Sequence, residues 1–226
     1  VARIQQAVIL AAGRGQRMMP LTNVVPKPMI PVSGSTLIAQ SIAKLTKLVP
    51  KIHVTVGYKG AMLAQHVIEN GAASVLNTNG QTNAWWIHNS LLQYVDEPLY
   101  VLTCDNVLEL DFNLLEKSYF DLDSPPCMLV PVRPVSGLEG DYIFHDGPVV
   151  TELNRHKPSD IYCSGVQVLN PAEVRRRVHE GDFMSVWQQL IAQRALYVSP
   201  VYPKKWISID TVEQLLAHTL ASDLGR

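Results

Sequence analysis

Two glycines, two arginines and a lysine stand close together in the run from Ala7 to Pro28, AVILAAGRGQRMMPLTNVVPKP. An apolar stretch, Ala7 to Ala12, leads straight into Gly13-Arg14-Gly15. Glycines let a backbone turn sharply and bring its N–H groups close to an anionic ligand. Leu10, Ala11, Ala12, Gly13 and Gly15 supply that stretch of main chain. Arg17 adds a fork of donors suited to phosphate oxygens. Lys27 lies between Pro26 and Pro28, so its stem leaves a stiff piece of backbone. Amides, a guanidinium and an ammonium on one strand-to-loop unit suit a nucleoside triphosphate.

The spacing excludes two common alternatives. A dinucleotide fingerprint needs a third glycine where Met18 stands and an acidic residue about 20 positions on. A Walker loop needs Gly-Lys-Ser/Thr, which does not follow here. The whole string from Leu10 to Pro28 resembles the signature of the nucleotidyltransferases that join a nucleoside monophosphate to a sugar 1-phosphate or a similar phosphate. The resemblance runs from about Ala7 to Ala221 and is strongest in this first loop. It implies a three-layer α/β/α sandwich with a mixed, mostly parallel central sheet of the Rossmann-like nucleotidyltransferase kind.

Bulk properties agree with a globular enzyme. The chain has 226 residues, 47% of them hydrophobic and 17% charged, which suits one α/β domain with a sizeable core. Within a single domain over 1–226, a nucleotide-binding half of about 1–110 and an acceptor-binding half of about 111–226 are expected. A net charge of −1 gives no basic footprint for nucleic acid. Cys104, Cys127 and Cys163 are scattered without metal-ligand spacing, which favours a reduced, cytoplasmic setting. No signal peptide and no run of 18 apolar residues is present, so no membrane association is expected. The chain starts at Val1, implying a removed initiator Met or a trimmed start. Its length leaves no room for the left-handed β-helix acyltransferase domain of bifunctional relatives. A homo-oligomer stays open.

The elements that must position these groups follow in order. Ala7–Ala12 reads as a strand buried on both faces. Ser33 to Thr36 offers caps for a helix over Leu37–Leu48, stopped by Pro50. Lys51–Val56 reads as a strand, Ala61–Glu69 as a helix and Ala73–Asn77 as a strand. This β-α-β-α-β order predicts parallel pairing. After a polar loop, Ala84 to Tyr94 reads as a helix; at least one of Trp85 and Trp86 is expected in the core. Leu99–Cys104 is another buried strand, and Asp105 follows it where α/β sheets bind ligands. Asp111 reads as the cap of a helix through Tyr119. Beyond Pro125-Pro126 strands dominate: Cys127–Val132, a hairpin over Asp141–His145 and Val149–Leu153 turning at Asp146-Gly147, and Ile161–Leu169. Helices over Pro171–Glu180 and Met184–Ala192, short strands over Ala195–Val201 and Trp206–Ile209, and a terminal helix from Thr211 to Ala221 complete the chain.

The implied reaction is in-line attack of a phosphate oxygen on the α-phosphorus of a nucleoside triphosphate, with pyrophosphate leaving. A phosphomonoester is mostly dianionic at pH 7, its second pKa being about 6, so no protein nucleophile or general base is required. Positioning and electrostatics must supply the catalysis. Arg17 is assigned to the β- and γ-phosphates, and Lys27 to the α-phosphate or the attacking phosphate. The resemblance implies that Asp105 and Asp210 hold Mg2+, a role oxygen ligands suit. A turn or cap role stays open for Asp105, and a helix-cap role for Asp210, which stands between Ser208 and Thr211. It also places Asn79, Gln81 and Asn83 at the base, with Trp85, Glu152, Lys157, Ser164 and Gly165 at the acceptor. For Glu152 and Lys157, exposed loop charges are the competing reading.

The leading expectation is a sugar-1-phosphate nucleotidylyltransferase of nucleotide-sugar biosynthesis for a surface polysaccharide. A CTP-dependent cytidylyltransferase for phosphocholine or a phosphonate-like acceptor is the alternative; Trp85, Trp86 or Tyr142 would then cage a quaternary ammonium. A nucleotide-binding or regulatory protein without activity is a further reading. A glycosyltransferase commonly binds metal with Asp-x-Asp, whereas this chain has Asp105-Asn106-Val107.

Overall fold

The computed structural model describes residues 4–135, 138 and 140–224, with side chains to residue 220. The described chain divides into two compact units that share the sequence discontinuously. One contains Gln5–Gly80, Thr103–Leu108 and the described residues from Ile207 onward. The other contains Ile4, Gln81–Leu102 and Glu109–Trp206. The fold is α/β with a mixed sheet, as the resemblance implied, and the two kinds of pairing are separately placed.

In the first unit Gln6–Leu10, Lys51–Val56 and Ser74–Asn77 lie side by side, all parallel. Ala7, Val8 and Ile9 are fully buried, which explains their unbroken apolar run. Helices Leu37–Leu45 and Gly60–Glu69 make the crossovers that parallel pairing requires. Thr36 caps the first by accepting from the Ala39 N–H. That helix ends earlier than Leu48, its carbonyls closing onto Thr46, Lys47, Leu48 and Val49 in a tighter turn. Ser33-Gly34 is the turn of a two-residue-per-strand hairpin, Pro31–Val32 with Ser35–Thr36, which hydrophobic periodicity could not reveal. A separate ribbon pairs Asn106–Glu109 with Lys205–Ser208, and the Ile209 N–H donates to the Asp105 carbonyl at its end. Met18, Ile30, Val32, Leu37, Ile209 and Leu215 form one buried cluster beneath it.

The other unit is mainly antiparallel. Its strands run Leu99–Thr103, Tyr162–Leu169, Cys127–Val132, Leu196–Val198, Val149–Asn154 and Tyr142–Asp146. Only Cys127–Val132 and Leu196–Val198 pair in parallel among them. The Asp146-Gly147 hairpin is present, with Gly147 at φ 55. Asp111 caps the helix Phe112–Asp121 by accepting from the Leu114 N–H.

Two expectations are corrected here. Ala84 to Tyr94 is not one helix: a single turn over Trp86–Asn89 is followed by a 3₁₀ turn over Leu91–Tyr94. The break falls at Ser90, whose hydroxyl donates to the Trp86 carbonyl and accepts from the Leu92 N–H, replacing helix bonds. Helix Pro171–Arg177 stops short of Glu180, because Val178 is extended. Trp86 is the core tryptophan: its ring is fully buried and its indole N–H donates to the Asn83 carbonyl.

The loops after the first two parallel strands press closely together. A Cβ on Gly57 would lie 2.6 Å from the Ala12 carbonyl oxygen and 3.0 Å from the Ala12 Cβ. The Tyr58 N–H donates to that same carbonyl. Gly57→Ala is therefore expected to lower stability by about 1–3 kcal/mol, the usual cost of overpacking. Urea denaturation measures it, and an unchanged midpoint would mean that the loops yield freely.

Candidate active site

The first strand delivers its loop to the carboxyl end of the parallel strands. The Ala11 N–H donates to the Thr55 hydroxyl in the core, and the Leu10 carbonyl accepts from the Cys104 N–H. Asp105 follows one residue later, so these bonds fix its main chain beside the loop. Gly15 adopts φ 63 and ψ 44, the left-handed region where glycine carries no steric penalty. A side chain there would also collide, its Cβ lying 2.7 Å from the Lys27 Cβ. The loop then folds through three short 3₁₀ turns, Gln16–Met18, Leu21–Asn23 and Lys27–Met29. The Thr22 hydroxyl donates to the Gly15 carbonyl, and the Tyr58 hydroxyl donates to the Thr22 carbonyl. Pro26 is extended, and Lys27 opens the last of these turns.

These constraints bring together four side chains from three distant stretches. The Lys27 ammonium donates to Asp105 Oδ2 at 2.9 Å and to Asp210 Oδ1 at 2.7 Å. Arg17 reaches the same Asp210 oxygen at 3.1 Å. Lys27 is deep, its side chain 10% exposed, with Asp105 at 26% and Asp210 at 19%. Arg17 is open to solvent at 67%. The four formal charges cancel.

Asp210 is held more fully than its sequence context suggests. The Ser208 hydroxyl donates to Asp210 Oδ2. The Gln214 side-chain oxygen accepts from the backbone N–H groups of both Asp210 and Thr211. Thr211, not Asp210, accepts from the Gln214 N–H at the helix start. Asp210 thus turns its carboxylate toward the basic residues and leaves capping to its neighbour. Sequence reasoning missed Ser208 and Gln214 as supports; the signal was the polar spacing around Asp210, which also fits a plain cap.

The charges set the ionisation. Burial disfavours the Lys27 ammonium, but the charges of Asp105 and Asp210 and their hydrogen bonds outweigh it and raise its pKa. Burial likewise opposes ionisation of Asp210, yet Lys27, Ser208 and Arg17 together hold its pKa below the usual carboxylate range. Burial pushes the Cys104 thiol far up, so it is inert beside the site.

The other residues expected at the site fall as follows. Asn79 is exposed in the first unit, its N–H donating to the Asn77 side chain. Gln81 is exposed in the other unit. There Asn83 accepts the Phe183 N–H through its side-chain oxygen, and Trp85 is half-buried. Glu152 and Lys157 pair with each other at 3.2 Å, and the Lys157 ammonium lies 4.2 Å from the Phe144 ring centroid. Gly165 has φ 82. Ser164 is buried, donating to the Val130 carbonyl and accepting from the Val166 N–H. Trp86 is lost to any cage, being core. Tyr142 stands edge-on to Tyr162, which stands edge-on to Trp206.

Two carboxylates at one point can hold a divalent cation. Among the described residues no group of three or more His, Cys, Asp or Glu surrounds a common point. A cation at Asp105 and Asp210 would therefore need water and ligand oxygens as well, which fits Mg2+ and not a closed zinc site. No helix among the described residues is long and apolar enough to cross a membrane.

Comparison with known proteins adds lineage to this geometry. A family model described as nucleotidyl transferase matches residues 6–136. The UTP–glucose-1-phosphate uridylyltransferase AglF of Haloferax volcanii is 32% identical over 176 residues, covering 74% of this chain and 72% of that protein. The 2-aminoethylphosphonate cytidylyltransferase of Lancefieldella rimae is 26% identical over 228 residues, covering 93% and 90%. The bifunctional protein GlmU of Methanococcus aeolicus is 45% identical over 64 residues, 28% of this chain; the match spans only 16% of that relative's length. A solved UDP-glucose pyrophosphorylase complexed with UDP-glucose superposes with a TM-score of 0.74 over 99% of this chain and 100% of that one, at 16% identity, a likeness of fold.

Two shifted groups of the site each contribute to the pH dependence of stability. Asp210 contributes stability above the ordinary carboxyl pKa of about 3.9 and loses it as pH falls through its lower folded value. Lys27 contributes below the ordinary lysine pKa of about 10.4 and loses that as pH rises through its higher folded value. These two groups lower the denaturation midpoint below roughly pH 5 and above roughly pH 9, while His53 and His88, whose pKa values burial lowers, take stability away as pH falls below about 6.5. Asp210→Asn should blunt the acid-side fall; an identical acid arm in the variant would assign it elsewhere.

Proposed function

Because the chain belongs to the nucleotidyl transferase family, we propose that it transfers a nucleoside monophosphate from a nucleoside triphosphate to a sugar 1-phosphate. The products are an NDP-sugar and pyrophosphate. The observation that carries this reading is the meeting of Arg17, Lys27, Asp105 and Asp210 at the end of the glycine loop. An acceptor phosphate oxygen attacks the α-phosphorus; the new P–O bond forms as the bond to the β-phosphate oxygen breaks. The dianionic acceptor brings its own electron pair, so no protein group takes a proton. Arg17, open to solvent, accompanies the β- and γ-phosphates as negative charge gathers on the leaving pyrophosphate. Lys27 turns its ammonium to the α-phosphate. Asp105 and Asp210 would hold Mg2+, which when bound neutralises phosphate charge.

For the base, Asn79, Gln81 and Asn83 remain our candidates, and for the acceptor Trp85, Glu152, Lys157 and Gly165. We place the activity in the cytoplasm, in keeping with three cysteines that form no disulfide, and assign it to supplying activated sugar for a polysaccharide. A second reading, CTP-dependent transfer to a phosphonate or phosphocholine, is favoured by the near full-length match to the 2-aminoethylphosphonate enzyme.

Pyrophosphate release in Mg2+, with four nucleoside triphosphates against hexose 1-phosphates, amino-sugar 1-phosphates, 2-aminoethylphosphonate and phosphocholine, tests both. Release with a sugar 1-phosphate supports the first reading; release only with CTP and a phosphonate or choline acceptor supports the second. Arg17→Ala should then lower kcat by about 100- to 1000-fold, the usual loss of one preorganised charge partner. Unchanged pyrophosphate release in both Lys27→Ala and Asp105→Ala would remove the mechanism.

A further inference from the structure

The Lys27 ammonium occupies the point where both carboxylates aim. Its nitrogen is within hydrogen-bond length of Asp105 Oδ2 and Asp210 Oδ1 at once. A divalent cation bridging those oxygens, at about 2.1 Å from each, would need the same space. Ammonium and metal therefore exclude each other there. Two features make the lysine a built occupant and not a chance neighbour. Its stem fills the room left by the absent side chain of Gly15, where a Cβ would meet three of its carbons within 3.3 Å. Its backbone is set by the 3₁₀ turn Lys27–Met29 that follows extended Pro26.

We propose that Lys27 is a resident stand-in for the metal, so that Asp105 and Asp210 are closed to a free divalent cation and open to one that arrives with a triphosphate. The inference rests on the nucleotidyltransferase reading and adds an order of loading to it. The four side chains sum to zero charge, so a metal ion alone would leave the site at +2 and would strand the displaced ammonium in a buried place. Phosphate oxygens reverse both costs. They give Lys27 and Arg17 new partners and carry the charge that balances the cation. Metal and triphosphate must then favour each other's binding beyond their direct contact, and by linkage each raises the affinity for the other equally. Arg17 shares Asp210 Oδ1 with Lys27, so a triphosphate that draws Arg17 away also loosens the second carboxylate from its clamp.

Mn2+ binding followed by electron paramagnetic resonance, with no nucleotide or acceptor present, tests the proposal directly. Wild type should bind Mn2+ weakly at the carboxylate pair. Lys27→Met should bind it at least about tenfold tighter, within the range of ordinary coupling between sites. Equal or weaker binding by a folded variant would overturn the proposal. Should Lys27→Met not fold, Lys27→Gln takes its place in the same titration. It too should bind Mn2+ at least about tenfold tighter than wild type, and equal or weaker binding by it would overturn the proposal as well. Neither readout uses catalysis, so a failure to release pyrophosphate and a failure of the lysine clamp are separately visible.

Discussion

The ammonium of Lys27 between two carboxylates is the interaction on which the candidate site depends. It is mostly shielded from water, so each of its partners is costly to lose. Asp105 comes from the strand end after Leu99–Thr103, Asp210 from the chain after the ribbon, and Lys27 from the proline-bounded loop. One nitrogen thus ties together pieces of chain separated by 78 and 183 positions. The buried cluster of Met18, Ile30, Val32, Leu37, Ile209 and Leu215 brings those pieces into range, and the charges then set their final positions. The nonpolar packing supplies the energy and the ion pairs supply the geometry.

The placement of parallel pairing has a functional reason. Parallel strands end together, and the loops at their carboxyl ends converge where ligands bind α/β sheets. The first unit has only such strands in its main sheet, and its chemistry-bearing loop leaves their carboxyl end. The antiparallel strands of the other unit are joined partly by short turns such as that at Asp146-Gly147. Of its candidate acceptor groups, Glu152 lies on the strand Val149–Asn154 and Lys157 just beyond it, and the two pair with each other.

Much of this was legible in the sequence because strong local signals and the tertiary structure agree. The apolar run Ala7–Ala12, the caps Thr36 and Asp111, the hairpin at Asp146-Gly147 and the charged pair Arg17 and Lys27 each obey one simple rule. What escaped has physical causes too. The strand pairing of Asn106–Glu109 with Lys205–Ser208 joins stretches nearly 100 residues apart, and neither has a strong period of its own. Ser90 breaks a helix through hydrogen bonds that its residue type permits but does not demand. The burial of Ser164, on a strand where Cys163 and Gly165 on either side are only partly buried, cannot be read from a dipeptide. Support of Asp210 by Gln214 depends on side-chain reach four residues along a helix start.

The discontinuity of the first unit has a consequence during synthesis. A ribosome delivers Met18, Ile30, Val32 and Leu37 well before their partners Ile209 and Leu215. Until then those apolar residues lack part of their cover, and Lys27 meets one carboxylate instead of two. Contacts of such long sequence separation form slowly and leave sticky surface exposed meanwhile. The nascent chain therefore keeps that surface partly uncovered until Ile209, and Leu215 in the first turn of the following helix, have emerged.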